Sequence, residues 1–487
     1  MTLASVIPAS DKVPGVFMKV SLGVGPATAA DAPRKILLFG NKTSAGSAVV
    51  EKVYAVVSAD DAETLFGIGS ELYIMARAAL RANPSAALFA IVMTASVGVS
   101  ASGTVTITGP ATAAGSVSAF ILGEEIVAAV ASGDTATTIA SALAAAINAR
   151  TDLPVTASPA AGVVTITFRH GGPRGNRTSL RTSANATAGV TATASAAYLA
   201  SGATSDSPAN ALDAIAVGRY HYLVAPYDDS TNINLFRTHV QDEAGPTIGH
   251  REQVVGASID TLANATTLAT AVNESRIQVA WHYNADDLPS VIASTLAGLR
   301  AAQESSDPAA NLDGLILTRI KPQNTDADRP EYAELVSALN NGLTALLPDT
   351  AGNVTITRSI TSRSRDAAGN ANYNVLDTSK VTVPDFMADD ITVGFAAEFS
   401  QFKLAPDDED GEPPPAGAAI ATPSTIRDWI EARLVGYQET GLIVNVAANL
   451  PSLVVEIGAT SGRVNASIPA DVIEGLHQFA GDVRQIG

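Results

Sequence analysis

A discontinuous α/β core, interrupted by a small inserted α+β domain and flanked by extended N- and C-terminal arms, is the fold this sequence predicts. Three observations predict it. Short apolar runs alternate with helix-length amphipathic segments after position 34 and again after 206, the pattern of a sheet covered by helices. Between them, from about 96 to 205, the texture shifts to Thr, Ser, Ala and Gly. Ahead of both lies a strand pattern with no neighbour in sequence to pair with. The 487 residues divide on this reading into an arm (1–25), a middle α/β domain (26–95 and 206–350), the insertion (96–205), a C-terminal domain (351–475) and a second arm (476–487), a length that one core rarely fills alone.

In the first arm, Val16, Met18, Val20 and Leu22 alternate with Phe17, Lys19, Ser21 and Gly23, the period of a strand. It is either the first strand of the chain's own sheet or a strand lent to a neighbour. Ile36 to Phe39 then reads as a buried strand; Leu72, Met75, Ala76, Ala79 and Leu80 follow helical spacing; Ala87 to Met93 reads as another strand. Inside the insertion, Val105 and Ile107, Phe120 to Leu122 and Val163 to Phe168 predict strands. Between them Asp134 is placed to cap a helix bearing Ile139, Leu143 and Ile147. The core resumes with Tyr222 to Ala225, Val254 to Ala257, Ile277 to Trp281 and Leu315 to Leu317 as strands. In the C-terminal domain, Val354 to Ile360 and Leu453 to Ile457 are strands, while Ile391, Phe395, Phe399 and Phe402 mark one face of a long helix. Thr422 and Pro423 open another helix, carrying Ile426, Ile430 and Leu434 inward. Val472, Ile473, Leu476 and Phe479 predict a last helical stripe, and 481–487 an extended tail in which Val483 and Ile486 are the apolar positions.

Composition narrows the functions available. Thirty basic against forty-eight acidic residues leave a net charge of −18, which opposes binding to nucleic acid or to an anionic membrane. With no cysteine, thiolate chemistry, disulfides and Cys-type zinc sites are excluded. No apolar run approaches the roughly 18–20 residues of a membrane span, so no membrane insertion is expected, and Met1 to Asp11 lacks a secretory pattern.

Motifs for chemistry are equally thin. Gly67, Gly69 and Leu72 form a broken G-x-G-x-x-G without its third glycine, and Gly40 to Gly46 lacks the G-K-[ST] ending of a phosphate loop; both read as turns. The six histidines form no H-E-x-x-H pair. His170 to Asn176, with Gly171, Gly172, Arg174 and Gly175, is either an anion cradle or a hairpin or interdomain loop. Asp407 to Asp410 lacks the alternating ligands of a calcium loop. No catalytic residues, metal site or cofactor are expected.

Three stretches carry a resemblance: RKILLFGNKTSAG (Arg34 to Gly46), VVSADDAETLFGIGSELYIMARA (Val57 to Ala79), and the GDT…IASALAAAINA…DLPVTA…VVTITF run from Gly133 to Phe168. In this order they resemble Mu-like contractile phage tail sheath proteins. The resemblance implies a subunit that assembles with copies of itself, as stacked six-membered rings or helical strands, around a tail tube, with baseplate and tail terminator as further partners. It implies that the insertion faces outward and the C-terminal domain inward, and that each arm adds a strand to a neighbour's sheet. Candidate hosts for the arms are Val354, Ile356 and Ile360 in one segment and Leu453, Val455 and Ile457 in another. Such a protein belongs to a virion tail or tail-like particle and is made and assembled in the bacterial cytoplasm. Two other classes stay open at this point. An α/β enzyme or ligand-binding protein would be a monomer with a polar pocket, and a static surface-layer or capsid-like protein would form one lattice only.

Overall fold

A computed structural model describes residues 33–407, 419–482 and 485. The arm positions Val16, Met18, Val20, Leu22, Val483 and Ile486 lie outside the described residues.

The chain begins with β1 (Lys35–Gly40), β2 (Val53–Ala55), α1 (Ala59–Phe66), α2 (Glu71–Ala82) and β3 (Ala87–Val92). An insertion follows, with β4 (Ser100–Thr108), β5 (Gly115–Ile121), β6 (Glu124–Val130), α3 (Ala136–Ala149), β7 (Val155–Ala160), β8 (Val163–Gly171), β9 (Leu180–Ala184) and β10 (Thr191–Ala194). The core resumes as α4 (Ala209–Ile215), β11 (Tyr222–Val224), α5 (Ser230–Glu243), β12 (Gln253–Ser258), α6 (Leu262–Val272), β13 (Ile277–Trp281), α7 (Pro289–Glu304), α8 (Tyr332–Asn340), β14 (Leu343–Pro348) and β15 (Val354–Ile356). The last region holds α9 (Ser379–Phe399), β16 (Lys403–Leu404), β17 (Ile420–Ala421), α10 (Pro423–Glu439), α11 (Val446–Asn449), β18 (Val454–Ile457) and β19 (Val464–Ser467).

The large sheet runs β15-β14-β13-β12-β11-β1-β3-β2, parallel from β3 to β14 with an antiparallel strand at each edge. Parallel strands must be covered on both faces. That is why Ile36, Leu37, Leu38 and Phe39 are all fully buried, consecutive side chains entering two different cores. Helix starts are set locally: the Ser58 and Ser70 hydroxyls accept the N–H groups of Asp61 and Tyr73, fixing the first turns of α1 and α2. Gly67 and Gly69 turn the chain between these helices at φ +78° and +71°, left-handed values that glycine adopts without strain.

The insertion folds into a four-stranded sheet, β10-β4-β8-β7, and a three-stranded sheet, β6-β5-β9, with α3 packing its Ile139, Leu143 and Ile147 into their common core. Thr135, not Asp134, caps α3, its hydroxyl accepting from Thr138 N–H; Asp134 instead accepts the N–H of Ala131 in the preceding turn. In the last region α9 and α10 pack through Phe395, Phe399 and Trp429, with ring centroids 4.9–5.9 Å apart.

Several sequence expectations need correction. Leu315 to Leu317 is not a strand of the parallel sheet; the place beside β13 belongs to β14, which directly follows α8, and Ile316 only bridges to Thr355 of β15. The strand expected over Val354 to Ile360 stops at Ile356, where Thr357 N turns back to Ala345 O. Phe402 lies past the end of α9 but still stacks on Phe399 at 5.2 Å. No helix forms over Val472 to Phe479. Val472 bridges to Ile443, Gly475 sits mid-segment, and Leu476 and Phe479 are 83% and 93% exposed. A glycine there costs a helix about 1 kcal/mol against alanine.

Candidate functional site

In a doubly wound sheet, ligands bind in the crevice at the carboxyl ends of the strands where the strand order reverses. Here that place lies between β1 and β11, because β3 was laid on one side of β1 and β11 on the other. The insertion leaves the sheet from the carboxyl end of β3 and fills the crevice. Arg174, just after β8, reaches it and is paired with Glu71 of α2 at 3.0 Å and with both oxygens of Asp206 at 2.7 and 2.8 Å. Asn41, immediately after β1, donates through Nδ2 to Asp206 at 2.7 Å and through its backbone N–H to Glu71 at 3.2 Å. Tyr227, just past β11, donates its hydroxyl to Asp206 at 3.1 Å and lies under the Arg174 guanidinium at 4.9 Å. The void that remains beside Glu71, Arg174 and Asp228 is about 10 Å³, room for one water at most.

Burial dominates the electrostatics of this crevice. It pushes the Glu71 carboxyl up to about 7, although Arg174 pulls the other way. It also holds the His170 imidazole down at about 4, with the Arg174 charge adding to the effect. His170 is thus neutral near pH 7, and its Nε2 accepts the Glu71 N–H at 3.2 Å. The His170 to Asn176 stretch is an interdomain loop, and its arginine is already occupied by acids of this chain.

The other signals singled out in the sequence also have structural tasks. Lys42 closes its own loop by donating to Gly46 O at 2.8 Å. His221 accepts from Lys35 N–H, His239 meets Glu252, His250 meets Glu243, His282 meets Lys321 O and His477 meets Asp313, at 2.5 to 3.0 Å. Asp407 accepts the Ser424 N–H and hydroxyl at 3.0 and 2.6 Å, in the first turn of α10. Among the described residues no group of three or more His, Asp and Glu gathers to hold a metal, and no helix is long and apolar enough to cross a membrane.

The two candidate host segments differ in what they leave open. Val354 and Ile356 lie in β15, bonded to β14 on one side. On the other, Gly314 N donates to Ile356 O, Leu317 N to Val354 O and Ile356 N to Leu315 O, at 2.8–3.1 Å. Ile360 is buried beyond the strand and bridges to Asp377. β15 therefore has no free edge. Leu453, Val455 and Ile457 belong to the β18–β19 hairpin, whose strands pair only with each other among the described residues. Leu453 is buried and Val455 packs against the α9–α10 core, while Val454 and Ile457 face out. Arg427 of α10 donates to Leu450 O at 3.0 Å and to Leu453 O, fixing the hairpin to its helix.

The family model for the phage tail sheath protein central domain matches residues 197–362. Along 99% of this chain and 98% of the relative, 28% of 494 aligned residues are identical to the Mu-like prophage FluMu tail sheath protein of Haemophilus influenzae. The chain thus carries a phage tail sheath central domain over residues 197–362 and is similar along its whole length to a Mu-like tail sheath protein. These similarities support a structural subunit of a contractile tail sheath. Solved structures similar to it include the sheath tail protein Lin1278 of Listeria innocua, 13% identical over 92% of this chain and 94% of that one, with a TM-score of 0.49. The contracted helical sheath of the anti-feeding prophage is 10% identical over 98% and 100%, with a TM-score of 0.46.

The matched segment of this sheath subunit runs from Ala197 through β15 to Ser362 and so includes Asp206 and Tyr227 of the filled crevice. Of the residues that fill it, Arg174 lies in the His170 to Asn176 stretch that the sequence singles out, while Asp206 has no signal of its own. Glu71 has a local signal as an acid in the first turn after the Ser70 cap.

Proposed function

We propose that this sheath subunit polymerises around a tail tube and contracts by a rearrangement of the lattice in which each subunit moves as a rigid body, driving the tube through the target envelope. The β18–β19 hairpin carries the proposal. It is a two-stranded sheet fixed to α10 on one face, and neither outer edge is covered by another described strand. The division into arms, middle domain, outward insertion and inward C-terminal domain belongs to the same proposal, with residues 1–25 and 476–487 as the arms and a neighbour's hairpin as their host.

Adding a strand to such an edge forms main-chain hydrogen bonds, and the alternating side chains set the register. One joint is marginal, because ordering the arm costs about 1–2 kcal/mol per residue while each backbone bond returns about 1 kcal/mol net. Two arms per subunit, repeated through a lattice, hold copies together while they turn.

Rigid-body motion requires domains that do not part, and the joint between α9 and the large sheet supports this. Asp385 of α9 takes both guanidinium nitrogens of buried Arg276 at 2.7 Å, and Asp389 takes Arg219 and Arg251 at 2.6 and 2.9 Å. The energy of contraction is stored at assembly, and the chain works without catalytic chemistry of its own. Its partners are tube, baseplate and tail terminator, and it is made and assembled in the bacterial cytoplasm.

Negative-stain electron microscopy of the purified chain beside a variant lacking residues 1–25 tests the proposal. Tubes from the first and isolated monomers or rings from the second are expected. Monodisperse monomers from both would remove the polymer reading, and tubes that contract only with added nucleotide would remove the stored-energy reading.

A further inference from the structure

Where the insertion meets the middle domain, away from the filled crevice, a cavity of about 580 Å³ opens between α2, the start of α7, the 318–322 segment and the insertion. Its floor is apolar, with Leu122 and Leu153 from the insertion facing Val291 and Ile320. Its charges are unbalanced. The acids on its wall are engaged within the chain: Glu124 holds Lys321 at 2.9 Å and Arg150 at 3.5 Å, Asp152 holds Arg150 at 3.0 Å, and Asp287 accepts the Lys321 N–H at 2.7 Å. Three arginines remain.

Arg77 donates only to the Tyr73 hydroxyl at 3.2 Å, and Arg81 and Arg319 have no acidic partner among the described residues. Arg77 and Arg81 stand one turn apart on α2, a like-charge spacing that weakens a helix. The helix dipole accounts for Arg81 in the last turn but not for Arg77. Arg319 is held at φ +67°, a left-handed backbone that a long side chain rarely adopts and that structures keep where a side chain must be aimed. Burial, and then the charges of Arg77 and Arg319, lower the pKa of Arg81. By contrast, Arg174, Arg177 and Arg181 each meet a carboxylate.

We propose that this cleft is an inter-subunit socket, in which Arg77, Arg81 and Arg319 receive carboxylate side chains from a second copy of this chain. The second copy is the fitting occupant because a chain of net charge −18 repels its copies unless an unspent basic surface meets an acidic one. The inference rests on the polymer reading above and adds to it a second, ionic contact that uses none of the β18–β19 hairpin's residues.

The test is the triple variant R77Q/R81Q/R319Q beside the wild-type chain, with tube formation followed by sedimentation and electron microscopy across 50–500 mM NaCl. The variant is expected to melt within a degree or two of wild type, to need at least a tenfold higher concentration to form tubes, and to lose most of the salt dependence of assembly. The wild type should also be inhibited by millimolar tripolyphosphate. Equal tube formation and equal salt dependence in both chains overturn the socket while leaving the hairpin joint standing. Wild-type chain that forms no tubes overturns the polymer reading and the socket with it. A tripolyphosphate-induced rise in wild-type melting temperature, abolished in the variant while tube formation is the same in both, assigns the cleft to a free anion and also overturns the socket.

Discussion

The carboxyl end of the large sheet and the β18–β19 hairpin are opposite solutions to the same question of unsatisfied groups. At the sheet end, a crevice of the kind that binds ligands in other doubly wound folds is closed from within. Arg174 is buried against Glu71 and Asp206, and Asn41 and Tyr227 complete the set. At the hairpin, two short strands pair only with each other and leave their outer edges unclaimed among the described residues. Proteins normally protect exposed edges, because an open edge is a template for another strand. The contrast is between a pocket sealed within the chain and, under the proposed function, an edge kept for a neighbour.

The largest expected effect comes from breaking the open side. Val455→Pro removes a backbone donor from β18 and should abolish tubes outright. The monomer should keep its fold with some loss of melting temperature, since Val455 also packs against the α9–α10 core. Electron microscopy and a thermal melt on one preparation check both halves, and tubes of normal length from the variant would remove the hairpin as host.

Breaking the closed side should act on stability first. Arg174→Met leaves two buried carboxylates facing each other, and removing one partner of a buried pair typically costs about 3–5 kcal/mol. Calorimetry should show a large fall in melting temperature, with a substantial part recovered in R174M/E71Q/D206N. An unchanged melt in R174M would mean the joint carries no strain and no grip.

A finer probe is pH. The Glu71 carboxyl has its folded pKa raised to about 7 from an ordinary 4.5, so between those values the folded chain holds the proton more tightly than the unfolded one. Its contribution to stability is full below about pH 4.5 and is lost as pH rises to about 7. His170, lowered to about 4 from 6.5, has the opposite sign: its contribution is full above pH 6.5 and is lost as pH falls toward 4. The two slopes oppose each other in wild type. Glu71→Gln should remove one of them, so that its melting temperature rises with pH relative to wild type between pH 4.5 and 7. A pH-independent difference between the two chains would exclude titration of Glu71.

The smallest expected effect is on the exposed tail. Leu476→Ser with Phe479→Ser should change the monomer's stability by no more than about 0.5 kcal/mol, as surface substitutions usually do. The same variant should loosen tubes if the segment from 476 onward is an arm, which a dilution assay on preformed tubes would read.

Much of the fold is legible in local sequence because its signals are local. The apolar runs at Ile36 to Phe39 and Ile277 to Trp281 are strands, and the Thr422–Pro423 start places α10 with Ile426, Ile430 and Leu434 buried. Misreadings occur where two segments compete for one place. Leu315 to Leu317 is as apolar as part of β14, and only closure of the sheet through α8 selects β14. Val472 to Phe479 has helical spacing, but its one buried valine is bridged to Ile443 and its largest side chains are left in solvent.

By itself the sequence determined the alternation of strand and helix, the inserted domain's change of texture, the absence of thiol chemistry and the acidic balance. Each of these is a property of neighbours in sequence or of a sum over the chain. Tertiary structure alone decided that Glu71, Arg174 and Asp206 meet, that β15 is covered on both edges while β18–β19 pairs only with itself among the described residues, and that three arginines line a cleft whose acids are engaged by other groups. Those facts depend on groups from distant segments arriving at the same few ångströms, and side-chain charge or edge pairing has no meaning until they do.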